Sequence, residues 1–148
     1  MGSVGSSGYS CGPAPTRAPP GLVLELTESV LLDSGSTTQR QLVELHVSGV
    51  GIAIDDFVTG YASLSYLATL PVSAVKIDRC LTASMISNPV SGSIVRAIIA
   101  LARELDLACV VEGIETTDQL RALPGTVQGQ GYLLGRPDQT PTSRWRVS

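Results

Sequence analysis

The chain has 148 residues, a formal net charge of −3 and 43% hydrophobic residues, which suits one soluble domain with a real core. Mild acidity without a basic stripe argues against a nucleic-acid partner, and no apolar run approaches the roughly 20 residues that cross a bilayer. The three cysteines, an odd number without CxxC spacing, indicate neither a disulfide framework nor a zinc knuckle. We therefore expect a reducing compartment, most simply the cytoplasm.

The first 21 residues differ in composition from the rest of the chain, since they are rich in Gly, Ser and Pro and nearly free of large apolar residues. Such a segment cannot bury enough surface to offset the entropy of ordering it. We predict a disordered leader over residues 1–21, a folded domain over 22–140 and an uninformative tail over 141–148.

Within the folded domain, strand patterns alternate with helix patterns. Strand-like runs lie at residues 22–26, 50–54, 74–77, 108–111 and, more weakly, 127–133, and helical spacing lies at 38–47, 62–70, 91–105 and 117–123. Strands separated by such helices predict βα units around a parallel sheet, and hence an α/β fold.

Polar residues gather where the predicted strands end. They are Glu25 and Glu28, Asp55 and Asp56, Lys76 and Asp78, Glu112 and Glu115, and Gln130. In parallel α/β folds, functional groups collect at the carboxyl ends of the strands. The placement therefore predicts one site at one end of the sheet.

The pair Asp55 and Asp56 directly follows the apolar run at residues 50–54. Adjacent strand residues point to opposite faces, so one of the two carboxylates leans toward the sheet interior. An unpaired carboxylate there is costly unless a cation meets it, which favours a metal site. The alternative, that the pair caps a following helix, stays open.

The other polar residues also have simpler interpretations when each is taken alone. Lys76 would be a surface lysine whose stem packs on apolar neighbours. Glu112 and Glu115 would be acids in the first turn of a helix, stabilised by its dipole. Gln130 alone would predict nothing, so the functional interpretation depends on the residues being taken together.

Taken together, five short motifs across residues 22–137 resemble the EAL domain family, phosphodiesterases that hydrolyse the bacterial signalling molecule cyclic di-GMP. The motifs are Glu25-Leu-Thr-Glu28, Asp55-Asp-Phe-Val-Thr-Gly-Tyr61 with Ser63-Leu-Ser-Tyr-Leu67, Val75-Lys-Ile-Asp78, Val111-Glu-Gly-Ile-Glu-Thr116 and Gln130-Gly-Tyr-Leu133. The resemblance implies a TIM-like (β/α) barrel, of which this chain matches roughly the C-terminal half. The Glu-Ala-Leu strand and the following Asn-bearing strand of the family have no counterpart, so the domain at 22–140 is expected to be a truncated EAL domain.

The resemblance also implies a role for each motif residue. Glu25, Asp55, Asp56 and Glu112 would bind two cations, Mg²⁺ or Mn²⁺, with Asp55 bridging them, and hard oxygen ligands suit both ions. Lys76 would face the attacking water or the phosphate, and Gln130 would position water or ligand. The supporting residues would be Glu28, which braces the Thr59-Gly60 loop, and Glu115, which holds the backbone at a strand end.

The missing ligands leave enzymatic activity uncertain at this point. The first metal site retains Glu25 and Asp55 but lacks the family's Glu and Asn, and Val58 replaces a Gly in a turn that a β-branched residue stiffens. We expect hydrolysis of cyclic di-GMP to be negligible in the isolated chain. The alternatives are a non-catalytic remnant that binds ligand or a partner in cyclic di-GMP signalling, a gene fragment with no separate role, or another divalent-metal hydrolase with a barrel fold. The resemblance also leaves open two kinds of protein partner. They are a second copy of the chain in a homodimer, or an upstream sensory or cyclase domain.

Overall fold

The computed structural model describes residues 21–27, 30, 36–57 and 67–135. The predicted leader (apart from Gly21), the tail and most of the helix predicted at 62–70 lie outside these ranges. So do three residues with predicted supporting roles, Glu28, Thr59 and Gly60, and also Val58.

Five parallel strands form one sheet in the described part of the chain, in the order β1-β2-β3-β4-β5. The strands are β1 (Val23–Thr27), β2 (Gly51–Asp55), β3 (Ala74–Ile77), β4 (Ala108–Glu112) and β5 (Gln128–Gln130). The helices are α1 (Ser36–Val47), α2 (Arg79–Ser84), α3 (Pro89–Glu104) and α4 (Thr117–Ala122). This alternation confirms the predicted α/β fold with βα units. None of the helices within the described ranges is long and apolar enough to cross a membrane.

The strand register divides the sheet into two chemically different faces. One face carries large apolar residues that belong to the buried core: Leu26, Ile52, Ile54, Val75, Ile77, Cys109 and Val111. The helix α3 contributes Val95, Ile98 and Ile99 to the same core. The opposite face carries mainly small and polar residues, among them Glu25, Ala53, Lys76, Glu112 and Gln128. Helices therefore cover the apolar face, and the candidate site residues lie on the opposite face.

Two local features differ from the sequence-based prediction. The strand β5 ends at Gln130 instead of continuing to residue 133, because the chain turns at Gly131, whose carbonyl accepts hydrogen bonds from the N–H groups of Leu134 and Gly135. The helix α2 was not predicted. Its N-cap is Asp78, whose carboxylate accepts a 2.7 Å hydrogen bond from the Cys80 N–H. An Asp directly after a predicted strand is the N-cap signal that could have revealed this helix.

Candidate active site

The candidate site is centred on Lys76, the only lysine in the chain. Its ammonium nitrogen lies 2.9 Å from Glu25 Oε2, 3.4 Å from Asp55 Oδ1 and 2.6 Å from Glu112 Oε1. Lys76 as a residue is 7% exposed. Three carboxylates from three different strands therefore converge on one buried cation.

The parallel register explains why these four side chains meet. Lys76 lies on β3, between β2, which ends in Asp55, and β4, which ends in Glu112. Glu25 lies on β1 opposite Ala53, on the same face as Asp55. Because all the strands run in one direction, their carboxyl ends form one edge, as the sequence predicted.

The charges around Lys76 keep its ammonium protonated. Burial alone would lower the pKa of Lys76, but hydrogen bonds to Glu112 and Glu25, with the negative charges of Glu112 and Asp55, outweigh it and raise the pKa above the ordinary value of 10.5. At neutral pH the site therefore contains a permanent positive charge enclosed by carboxylates.

Asp56 directly follows this cluster and has an unusual backbone. Its φ of 52° lies in the left-handed region, which Asp tolerates better than most residues, and its N–H donates a 3.1 Å hydrogen bond to Asp55 Oδ1. Burial and the negative charges of Asp55 and Asp78 raise the pKa of Asp56, and the positive charge of Lys76 opposes them. Asp56 is thus part of the electrostatic environment of the same site.

Gln130 lies on β5, and Glu115 lies in the loop after β4. Gln130 is opposite Glu112 in the register of β4 and β5, and its carbonyl accepts a 3.1 Å hydrogen bond from the Ile114 N–H. Glu115 is exposed, and its backbone N–H donates to Gln119 Oε1 at 2.8 Å. The roles of both side chains remain predictions.

Gln119, which is 5% exposed, was not among the site residues predicted from the sequence. Its Oε1 accepts hydrogen bonds from the N–H groups of Glu115 and Thr116, while its Nε2 donates to the carbonyl of Thr82, 37 residues away. The pattern Thr116-x-x-Gln119 is a capping box that the sequence displays. The long-range bond to Thr82 has no such signal.

The donors at this site suit a hard divalent cation, although their present arrangement surrounds the ammonium. Carboxylate oxygens are the ligands that Mg²⁺ and Mn²⁺ prefer. Across the described ranges, no three His, Cys, Asp or Glu side chains are grouped so as to hold a metal ion. Because the Lys76 ammonium lies between Glu25, Asp55 and Glu112, those carboxylates would have to reorient around an ion.

Comparison with known proteins identifies the family. The sequence model of the EAL domain family matches residues 14–137 of this chain. The chain belongs to the EAL domain family. The cyclic di-GMP phosphodiesterase PA2567 of Pseudomonas aeruginosa is 42% identical over 118 residues, which are 78% of this chain and 20% of that protein.

Solved EAL structures share the fold. The EAL domain of Mycobacterium smegmatis DcpA is 48% identical with a TM-score of 0.71, covering 80% of this chain and 55% of that one. Klebsiella pneumoniae BlrP1, in a manganese and cyclic di-GMP complex, is 30% identical with a TM-score of 0.70, covering 78% of this chain and 30% of that one. The five-stranded sheet is thus part of a TIM-like barrel, as the resemblance implied. The chain spans only 14% to 31% of the length of curated relatives that it matches.

Proposed function

We propose that this EAL domain chain is part of a phosphodiesterase that hydrolyses cyclic di-GMP to the linear dinucleotide with the aid of Mg²⁺ or Mn²⁺. The observation that carries the proposal is the convergence of Glu25, Asp55 and Glu112 on Lys76 at the carboxyl ends of parallel strands. The name of the relative PA2567 and the manganese and cyclic di-GMP complex of BlrP1 support the same activity.

Four carboxylates would hold the divalent cations in this proposal: Asp55, Asp56, Glu112 and Glu25. A bound ion supplies an activated water and neutralises charge on the phosphodiester. Asp55 and Glu112 have side chains 26% and 25% exposed, so a cation from solvent has access to both. With no family Glu and Asn beside Glu25, we expect this chain to bind one ion weakly rather than two tightly.

Lys76 would stabilise the negative charge that develops on the phosphate oxygens. Its raised pKa keeps the ammonium charged across neutral pH, and a cation held in place before the reaction costs no reorganisation during it. Gln130, opposite Glu112 in the register, would position a water or the ligand. Glu28 would brace the Thr59-Gly60 loop, and Glu115 would hold the backbone after β4.

The open face of the sheet argues that these 148 residues alone do not complete the reaction chamber. Val23, on the face of β1 that carries Glu25, is 36% exposed, and Val110 on the same face is half-buried. The chain also spans only about half of the DcpA EAL domain chain. Because positioning supplies much of enzymatic rate, and a displacement of about 1 Å can cost on the order of a hundredfold, we expect negligible hydrolysis by the isolated polypeptide.

A phosphodiesterase assay with cyclic di-GMP and Mn²⁺ tests the proposal on two forms of the protein. The first is the 148-residue chain, and the second is the same chain fused to, or co-expressed with, the N-terminal half of an EAL relative. We expect turnover only in the second form, abolished by Lys76→Met and by Glu112→Gln but unaffected by the surface variant Arg103→Met. Robust turnover by the isolated chain would refute the requirement for the other half. A folded but inactive fusion would favour the non-catalytic alternative.

Metal binding gives a second readout that needs no catalysis. Calorimetric titration of the isolated chain with Mn²⁺ should show one weak site, weakened further by Asp56→Asn. Two tight sites, or unchanged binding in Asp56→Asn, would contradict the proposed ligand set.

We also place the protein in a reducing cytoplasm, a proposal supported by the free thiols of Cys80 and Cys109.

A further inference from the structure

Gln119 connects two segments that follow different site strands. Its Oε1 accepts hydrogen bonds of 2.8 Å and 3.0 Å from the N–H groups of Glu115 and Thr116, in the loop after β4. Its Nε2 donates a 3.1 Å hydrogen bond to the carbonyl of Thr82 in α2. Both groups of the side-chain amide are thus engaged, one on each segment.

This pairing exceeds what helix capping requires. In a capping box, Gln and Glu serve equally, because each offers an oxygen to the N–H groups at the start of the helix. Only Gln also provides a donor for the Thr82 carbonyl, whereas a carboxylate would place one oxygen against another. The bond to Thr82 is buried, and an unsatisfied buried polar group is costly.

The two segments that Gln119 joins lead directly to the Lys76–Glu112 ion pair. The helix α2 begins at Arg79, three residues after Lys76, and the loop begins immediately after Glu112. A close approach reinforces the connection, since a Cβ at Gly113, where φ is +71°, would overlap the Cβ of Arg79. The loop therefore meets α2 directly at Arg79 and is linked to Thr82 through the side chain of Gln119.

We infer that Gln119 is a positioning residue, which sets the geometry of the Lys76–Glu112 pair by holding the loop after β4 against α2. The inference rests on the proposed function for its catalytic meaning, but the geometry can be tested independently. The hydrogen bonds of the Gln119 amide go to the backbone of Glu115, Thr116 and Thr82, so its effect on the reaction acts through the backbone of the two segments.

The decisive variant is Gln119→Glu, which keeps an oxygen for the cap but replaces the donor to Thr82 with a carboxylate oxygen that faces the same carbonyl. The matched control is Gln41→Glu, the same change of charge at an exposed position of α1. Because Lys76 is the only lysine, a spectrum of ¹⁵N-lysine-labelled protein reports its ammonium without assignment of other lysines. We expect its signal to shift and its proton exchange to accelerate in Gln119→Glu and to stay unchanged in Gln41→Glu. An unchanged Lys76 signal in folded Gln119→Glu would overturn the inference.

If Gln119→Glu does not fold, native-state hydrogen exchange on the unaltered chain decides the matter. Positioning requires the side-chain amide of Gln119 and the ammonium of Lys76 to lose protection together as urea is raised below the unfolding midpoint. Independent loss would overturn the inference. In the fused barrel, Gln119→Glu should lower kcat by tenfold or more at unchanged KM. If the fused barrel without the Gln119 substitution is inactive, that result counts against the proposed function. The ¹⁵N-lysine spectra of the isolated chain would still test the positioning.

Discussion

Replacing Lys76 by Met removes the one cation shared by three carboxylates and should destabilise the fold measurably. Methionine is unbranched like lysine, is shorter by the terminal nitrogen, and fits a buried position. Glu25, Asp55 and Glu112 would then face one another without a compensating charge. Removing one partner of a buried ion pair leaves the other uncompensated, which is more costly than the pair itself is stabilising.

The distances and exposures set the size of the effect. At an effective dielectric constant of about 20, the 2.6 Å contact to Glu112 corresponds to about 6 kcal/mol and the 3.4 Å contact to Asp55 to about 5 kcal/mol, before desolvation. Desolvation of the ammonium offsets most of this attraction. Water reaches Glu112 and Asp55 at about a quarter of their side-chain surface and Glu25 at about half. We therefore expect a net loss of about 2 kcal/mol, below the 3–5 kcal/mol of fully buried pairs.

Urea and thermal unfolding at pH 7 measure this loss. A decrease of about 2 kcal/mol corresponds to a fall in Tm of about 6 °C for a domain of this size. The matched control is Arg103→Met, which removes a surface pair to Glu104 at 3.7 Å with both side chains more than 70% exposed. That variant should change stability by less than about 0.5 kcal/mol. If Lys76→Met is as stable as Arg103→Met, the electrostatic reasoning about the site is wrong.

The pH dependence follows from the raised pKa of Lys76. A lysine whose pKa is higher in the folded state stabilises that state fully below its unfolded value of about 10.4. The contribution is lost only as pH rises through the still higher folded value. The stability difference between the unaltered chain and Lys76→Met should thus stay constant from pH 7 to pH 10 and shrink above it. A difference that declines between pH 7 and pH 9 would refute the raised pKa.

Two further predictions concern packing. Gly131→Ala should cost about 2 kcal/mol or more in urea unfolding, because the added Cβ would overlap the backbone of Ile114. Gly51→Ala should cost under about 1 kcal/mol, because the nearest atom to its Cβ is a side-chain methyl of Val23 at 3.3 Å and the backbone oxygen of Leu22 lies at 3.6 Å. Equal effects of the two changes would contradict the close approach at Gly131. In a Cys11→Ser background, the exposed Cys80 should react with a thiol reagent well before Cys109. A hydrogen bond to Asp78 raises the pKa of the Cys80 thiol, but Cys80 stays accessible, whereas burial both shields Cys109 and raises its pKa to about 11. Simultaneous labelling of both thiols in folded protein would refute the buried position.

The parts of the fold that sequence reasoning predicted well are those with short-range patterns. The strand β3 has the predicted bounds, and β2 and β4 differ from prediction by one residue at their ends, because buried parallel strands appear as short, continuous apolar runs. The convergence of Asp55, Lys76 and Glu112 was also predictable, because parallel strands place their carboxyl ends at one edge.

The features that escaped prediction depend on contacts distant in sequence. Nothing near Gln119 indicates that its amide reaches Thr82, since the partner lies 37 residues away. The early end of β5 goes with the turn at Gly131, where the backbone lies too close to Ile114 for a Cβ to fit, and that approach is not visible in the local pattern. The sequence suggested a cluster of metal ligands, but the three-dimensional spacing places the Lys76 ammonium between the carboxylates.

Glu25 differs from the other site carboxylates in the strand that carries it. Within the described residues, β1 pairs only with β2, and Leu26 is its one buried residue. Proteins open locally first where few apolar contacts resist, so Glu25 can leave the site while Asp55 and Glu112 remain on interior strands. A ligand that engages Glu25 binds only the conformation in which β1 is paired with β2, and it stabilises that conformation by mass action. Occupancy of the site and protection of β1 amides from hydrogen exchange should therefore rise together.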